Sequence, residues 1–129
     1  MSKPLLLWID LESSDPRTAN EIRKNHPELE IVFQTKYSDA ETYLGRQKRD
    51  IDGREQFIVI CRGYYVDEKK SFVEVAKLFQ VCDSVRTHIG VFTRSRKDCM
   101  EKNPGYPKNV EIFDKRADLL DFVERSLTR

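Results

Sequence analysis

The amino-acid sequence predicts an α/β domain with three layers, in which helices cover both faces of one five-stranded, mostly parallel sheet. Two observations lead to this prediction: short apolar runs of strand length recur along the chain, and stretches with the apolar spacing of helices separate them. Strands that alternate with helices form parallel sheets, because each crossover helix returns the chain to the same end of the sheet. The length of 129 residues suits one domain over residues 1–129, and 39% hydrophobic residues can supply its core.

The first quarter of the chain predicts two strands with a helix between them. Pro4–Ile9 is a continuous apolar run, which is typical of a strand buried on both faces. Asp15 is a residue type that caps a helix, Pro16 suits its first position, and Pro27 ends it. Alternating apolar residues between Leu29 and Phe33 then predict a second strand, nearer an edge of the sheet.

The next segment predicts a helix start and a central strand. Ser38–Glu41 has the pattern of a capping box, with Glu41 at the third helical position. Gly45–Gln56 is highly charged and contains two glycines, so we predict a loop or a frayed helix end there. Phe57–Cys61 is a second fully apolar run and predicts a buried strand.

The second half of the chain completes five strands and five helices. A stripe of apolar residues at i, i+3, i+4 and i+7 from Phe72 to Phe79 predicts the third helix. The remaining elements are a strand at His88–Phe92, a short helix from Ser95 that ends at Asn103–Pro107, a strand at Val110–Phe113, and a last helix with a stripe at Leu119, Leu120, Val123 and Leu127. Five strands in this order predict the flavodoxin-like strand order 2-1-3-4-5.

Charge and hydropathy exclude several function classes. Lys and Arg number 23 against 22 Asp and Glu, which argues against a dedicated nucleic-acid-binding protein. Two basic clusters, Gly45–Arg54 and Arg94–Lys97, are predicted to be solvated surface; contact with a polyanion through them is the third and weakest hypothesis for function. No apolar run reaches the roughly 18 residues of a membrane span, so no membrane partner is expected, and Asp10 interrupts the first run too early for a signal peptide.

The cysteines point to a reducing compartment. Cys61, Cys82 and Cys99 are odd in number, widely spaced and free of any CxxC pattern. A disulfide framework or a zinc site is therefore not expected, and we predict a cytoplasmic location. The short leader before the first strand and the helix that runs to Arg129 suit a domain of a longer chain.

In this fold a functional site lies beyond the carboxyl ends of the strands, next to the first strand. The residues that follow the strands are Asp10, Leu11, Glu12, Cys61, Arg62, Gly63, Thr93, Arg94, Asp114 and Lys115. Adjacent Tyr64 and Tyr65 are expected either to fold over the core or to be offered to a partner. Trp8 is expected to lie close to this site while facing away from it.

With these residues in place, the chain resembles the receiver domains of two-component response regulators over nearly its full length. The resemblance rests on three features: the first strand ends in Asp10, the fourth ends in Thr93, and Lys115 follows the fifth. It implies a pocket where two acids hold Mg²⁺ and an aspartate at the end of the third strand accepts a phosphoryl group.

The departures from the receiver pattern indicate a degenerate pseudo-receiver. The second acid, Glu12, is displaced by one position, and Cys61 takes the place of the phosphoacceptor aspartate. A thiolate is a soft ligand, whereas Mg²⁺ prefers oxygen. Arg116 replaces the proline that usually follows the lysine. We therefore expect no catalytic residue, no metal and no cofactor.

The favoured hypothesis is a non-enzymatic signalling module that binds a protein partner or forms a homodimer. By resemblance, the contact face is built by the fourth helix, fifth strand and fifth helix, which span Ser95–Lys102 and Val110–Arg129. The alternative is a small-ligand or nucleotide-binding domain, possibly one that cleaves NAD as some TIR domains do, in the pocket of Asp10, Cys61 and Lys115. No glutamate for that reaction can be placed here.

Overall fold

The computed structural model describes residues 3–128 and contains seven strands and five α-helices within that range. In chain order these elements are β1 (Leu5–Ile9), α1 (Pro16–Asn25), β2 (Glu30–Gln34), α2 (Tyr37–Asp52), β3 (Phe57–Cys61), β4 (Tyr64–Tyr65), β5 (Lys70–Ser71), α3 (Phe72–Leu78), β6 (Thr87–Phe92), α4 (Arg96–Lys102), β7 (Val110–Phe113) and α5 (Arg116–Leu127). Short 3₁₀ turns follow β1 at Glu12–Ser14 and α3 at Phe79–Val81.

The main sheet is parallel throughout and has the strand order β2-β1-β3-β6-β7. Because β4 and β5 form a separate two-stranded hairpin, this order is the predicted flavodoxin-like order 2-1-3-4-5. The two central strands that the sequence predicts as buried, β1 and β3, are buried at every position. Edge strand β2 is only partly buried, as its mixed polarity predicts.

Side chains of each strand alternate between two cores, one on each face of the sheet. From β1, Leu5, Leu7 and Ile9 pack with residues of α2, α3 and α4. Leu6 and Trp8 lie on the other face with residues of α1 and α5. The sheet is thus covered on both faces, and its two ends are left for connecting loops.

Helix starts follow local capping chemistry in most places. Asp15 Oδ1 accepts a hydrogen bond from the backbone N–H of Thr18 at 3.3 Å, with Pro16 at the first helical position, as predicted. Ser95 Oγ accepts from the N–H of Asp98 at 3.2 Å and begins α4. Helix α2 differs: it begins at Tyr37, so Asp39 takes the third position and Glu41 the fifth.

The predicted loop or frayed helix end at Gly45–Gln56 is wrong as far as Asp52, because α2 continues through Gly45 to that residue; only the last four residues of the segment leave the helix. Leu44 and Ile51 face the core and hold the helix against the sheet. Lys48 and Asp52, four residues apart, form an ion pair at 2.6 Å on the exposed side. After the helix, buried Arg54 bonds to Asp50 at 2.9 Å and Glu30 at 2.8 Å, which fixes the chain where it enters β3.

The β4–β5 hairpin is a feature that the sequence does not predict. Tyr64 pairs with Ser71 and Tyr65 with Lys70 in antiparallel register. The hairpin is tied to the start of α2, because the Glu68 carboxylate accepts hydrogen bonds from the N–H groups of Tyr37 at 2.7 Å and Ser38 at 3.0 Å. Within residues 3–128, no helix is both long and apolar enough to cross a membrane.

Candidate functional site

The carboxyl ends of β1, β3, β6 and β7 meet at one end of the sheet, and three adjoining cavities form a groove across it. The cavities have volumes of about 210, 640 and 500 Å³. The first and second share Asp10, Leu11 and Arg62. The second and third share Gly63, Tyr64, Thr93 and Arg94. We call this feature the carboxyl-end groove.

Asp10 lies in the groove, and its carboxylate is already engaged by the turn that follows β1. Asp10 Oδ1 accepts hydrogen bonds from the N–H of Leu11 at 2.8 Å and from Ser14 Oγ at 3.3 Å. Such a bond pattern is that of an acid that orders a turn.

Glu12 does not join Asp10. The 3₁₀ turn at Glu12–Ser14 directs the Glu12 carboxylate to Arg23 of α1, at 3.2 Å. Glu12 lines none of the three cavities of the groove. The pair of acids that a receiver uses for Mg²⁺ is therefore not assembled.

Cys61, which the sequence analysis compared with a receiver's phosphoacceptor, is 1% exposed at the end of β3. Burial raises the pKa of its thiol, with a further rise from the nearby Cys99. The thiol thus stays protonated at neutral pH, whereas a reactive cysteine needs a lowered pKa. Cys61 lines a small cavity of about 180 Å³ with Asp10 and Trp8. Trp8 borders this small cavity from the core of α1 and α5, and it lines none of the three cavities of the groove.

Thr93 and Lys115 occupy different surroundings. Thr93 is half-buried, lines the two larger cavities, and donates its backbone N–H to Phe113 at 3.0 Å. Lys115 is exposed at the start of α5 and lines none of the cavities of the groove. Asp10 and Thr93 thus meet in one cavity, and Lys115 does not join them.

The two adjacent tyrosines, Tyr64 and Tyr65, differ in burial. Tyr65 is buried; its hydroxyl donates to the carbonyl of Ile9 at 2.7 Å and accepts from the N–H of Arg62 at 3.0 Å. Burial also raises the pKa of Tyr65. Tyr64 is 48% exposed and lines the two larger cavities. Tyr65 therefore takes the first of the two expected positions, folded over the core, and Tyr64 stays exposed.

Two arginines predicted to follow β3 and β6, Arg62 and Arg94, line the groove. Arg62 lies over the Tyr65 ring, with Cζ 5.9 Å from the ring centroid. Within the described part of the chain, the guanidinium groups of Arg62 and Arg94 form no ion pair. Of the five large apolar residues that are exposed within residues 3–128, three also line the groove: Leu11, Tyr64 and Val66.

The residues present do not fit the Mg²⁺ ion that a receiver would hold. Asp10 offers one carboxylate, Glu12 turns away, and the Cys61 thiol is a soft and protonated donor. Over residues 3–128 no group of three or more His, Cys, Asp or Glu side chains is arranged to bind a metal. No protein-family model matches the chain, and neither the comparison with curated proteins nor that with solved structures found a match.

Proposed function

We propose that this chain is a non-enzymatic, receiver-like interaction module for signalling, and that it binds a protein partner at the carboxyl-end groove. The observation that carries the proposal is the buried, protonated thiol of Cys61 where a phosphoacceptor carboxylate would stand. A thiol in that state supplies neither a metal ligand nor a nucleophile. The fold around it is intact, which suits a domain that acts through its surface.

The choice of the groove over the face formed by α4, β7 and α5 follows from where apolar side chains are exposed. On that face Arg125 pairs with Glu111 at 2.8 Å and with Asp121 at 2.8 Å, and Arg96 Nε bonds to the carbonyl of Ile112 at 2.9 Å. Among the described residues, the large apolar side chains that are exposed lie elsewhere, and protein interfaces need such anchors at their centre.

The experiment that tests the proposal is a titration with Mg²⁺ and then beryllofluoride, followed by Trp8 fluorescence. Trp8 stacks on Phe33 with ring centroids 5.5 Å apart and lines a cavity with Asp10, so it reports on the pocket. We expect no saturable change that needs both reagents. Asp10→Asn is the control variant and is expected to give the same flat response.

A saturable change in the wild-type protein that is lost in Asp10→Asn would show a working receiver pocket and contradict the proposal.

A second candidate function is binding of a nucleotide or another small ligand, and the 640 Å³ cavity with Arg62 and Arg94 favours it. Repeating the titration with ATP and with NAD distinguishes the ligand-binding domain from the interaction module. Saturable binding of either nucleotide would replace the interaction module with a ligand-binding domain.

A further inference from the structure

The carboxyl-end groove offers unpaired positive charge even though acids also line it. Three of these acids are already engaged by backbone N–H groups: Asp10 by Leu11, Glu68 by Tyr37 and Ser38, and Asp114 by Arg96 at 2.9 Å. The guanidinium groups of Arg62 and Arg94 form no ion pair within residues 3–128. These two guanidinium groups are therefore available to pair with the carboxylates of a ligand.

Apolar side chains stand beside these arginines. Leu11 is 52% exposed, Tyr64 48% and Val66 70%, and each lines at least one of the three cavities. A ligand that covers them needs apolar side chains of its own, because burial of both surfaces supplies the free energy of association. A single small anion such as phosphate would leave them exposed.

The mixed charge of the groove favours a peptide over a nucleic acid. Asp10, Asp67, Glu68, Asp98 and Asp114 all line it. A continuous row of phosphates would lie against these carboxylates, whereas a peptide can place separate carboxylates opposite the arginines alone. The second cavity shares lining residues with each of the other two, and such a series suits an extended chain.

We propose that the carboxyl-end groove binds an extended acidic peptide segment of a partner, with its carboxylates on Arg62 and Arg94 and its apolar side chains against Leu11, Tyr64 and Val66. This inference rests on the proposed function and names the chemistry of the partner. A guanidinium group and a carboxylate form two parallel, charge-assisted hydrogen bonds, so each arginine can bind and orient one carboxylate of the peptide.

The test uses fluorescently labelled twelve-residue peptides and the full chain, with binding followed by fluorescence anisotropy. One peptide alternates Glu with Leu, a second replaces Glu by Gln, a third replaces Leu by Ser, and a fourth replaces Glu by Lys. We expect the Glu–Leu peptide to bind most tightly and its affinity to fall as NaCl rises from about 0.05 to about 0.5 M.

Two pairs of variants locate the binding site. Arg62→Gln with Arg94→Gln is expected to weaken the Glu–Leu peptide about tenfold. The matched control is Arg46→Gln with Arg49→Gln, which removes the same charge from the exposed surface of α2 and is expected to leave affinity unchanged. Leu11→Ser with Tyr64→Ser should also weaken binding, whereas Val81→Ser with Val85→Ser, also exposed but outside the groove, should not.

Several outcomes would overturn the inference. If the Gln–Leu peptide binds as tightly as the Glu–Leu peptide, charge has no part in binding. If both pairs of arginine variants lose the same affinity, the effect comes from the net charge of the protein and not from the groove. Competition by inorganic phosphate or by single-stranded DNA at lower concentration than the peptide would assign the groove to those ligands. If no peptide binds and the beryllofluoride titration gives no change, the proposal of an acidic peptide ligand is wrong, whereas the proposal of an interaction module is not contradicted.

Discussion

Gly90 in β6 lies where the core leaves no room for a side chain. A Cβ atom built on it would lie 2.7 Å from Cε2 of Phe122 and 2.8 Å from Cζ of Phe113, both in the core between β6 and α5. These distances are shorter than normal contacts, so the two rings would have to move. We expect Gly90→Ala to lower the free energy of unfolding by about 1–3 kcal/mol, measured by urea denaturation.

Gly45 supplies the matched control for that substitution. It lies inside α2, it is exposed, and no atom stands within 4 Å of a Cβ built there. Alanine at a helical position with free space raises stability by about 0.5–1 kcal/mol. If Gly45→Ala instead has no effect and Gly90→Ala is tolerated, the helical assignment of this segment and the close ring packing at β6 would both be contradicted.

At the residue scale, positions were predictable and side-chain directions were not. The apolar runs place Asp10, Cys61 and Thr93 at strand ends correctly, because run length determines where a buried strand stops. The 3₁₀ turn that points Glu12 toward Arg23 depends on a contact eleven residues away, which no local pattern reveals. The same holds for Tyr65, whose hydroxyl bonds to Ile9 in another strand.

At the element scale, the two errors have different physical causes. The prediction of a loop or frayed helix end at Gly45–Gln56 relied on the glycines and the high charge of the segment. In the structure, the burial of Ile51 and the Lys48–Asp52 ion pair stabilise the helix as far as Asp52. The spacing of that pair was present in the sequence and could have indicated the helix. The β4–β5 hairpin has strands of two residues, which are too short to show any periodicity.

The hairpin is anchored by Glu68, and this anchor depends on pH. Partial burial acts to raise the pKa of the Glu68 carboxyl, but hydrogen bonds from Ser38 and Tyr37 outweigh it and hold the pKa below the ordinary 4.5. A lowered pKa means that the anchor stabilises the fold above pH 4.5 and is lost as the pH falls through the lowered value. We expect Glu68→Gln to speed hydrogen exchange at the amides of Tyr37 and Ser38 at neutral pH.

That difference between variant and wild type should shrink below pH 4.5, once exchange rates are corrected for their intrinsic pH dependence. Glu55→Gln is the control, since Glu55 is exposed and lies outside the hairpin. A difference of the same size in acid and at neutral pH would show that the carboxylate charge is not what holds the hairpin to α2.

At the scale of the whole molecule, two cores share one sheet, and the candidate site lies at the end of the sheet that both of them support. Cys61 belongs to the core of α2, α3 and α4, while Trp8 beside the same small cavity belongs to the core of α1 and α5. A substitution of Cys61 therefore changes the packing of its own core and the cavity that this core shares with Trp8. Access to Cys61 should require the sheet itself to open.

Thiol labelling tests whether Cys61 becomes accessible only when the whole domain unfolds. Burial raises the pKa of Cys61 and Cys99, but Cys61 is in a central strand and Cys99 is in the seven-residue helix α4. In single-cysteine variants made with Ala at the other two positions, we expect Cys61 to react with a disulfide reagent only through global unfolding. Its rate should then rise with urea with the full dependence of the unfolding transition.

Cys99 should react faster and with a weaker urea dependence, because α4 can open locally while the sheet remains folded. The unfolding free energy of each variant, measured separately, corrects for any loss of stability from the alanine substitutions. Rapid, urea-independent labelling of Cys61 would mean that the end of β3 is open to solvent in the native state. Thiol chemistry at the end of β3 would then be possible, and the proposed interaction module would lose its main support.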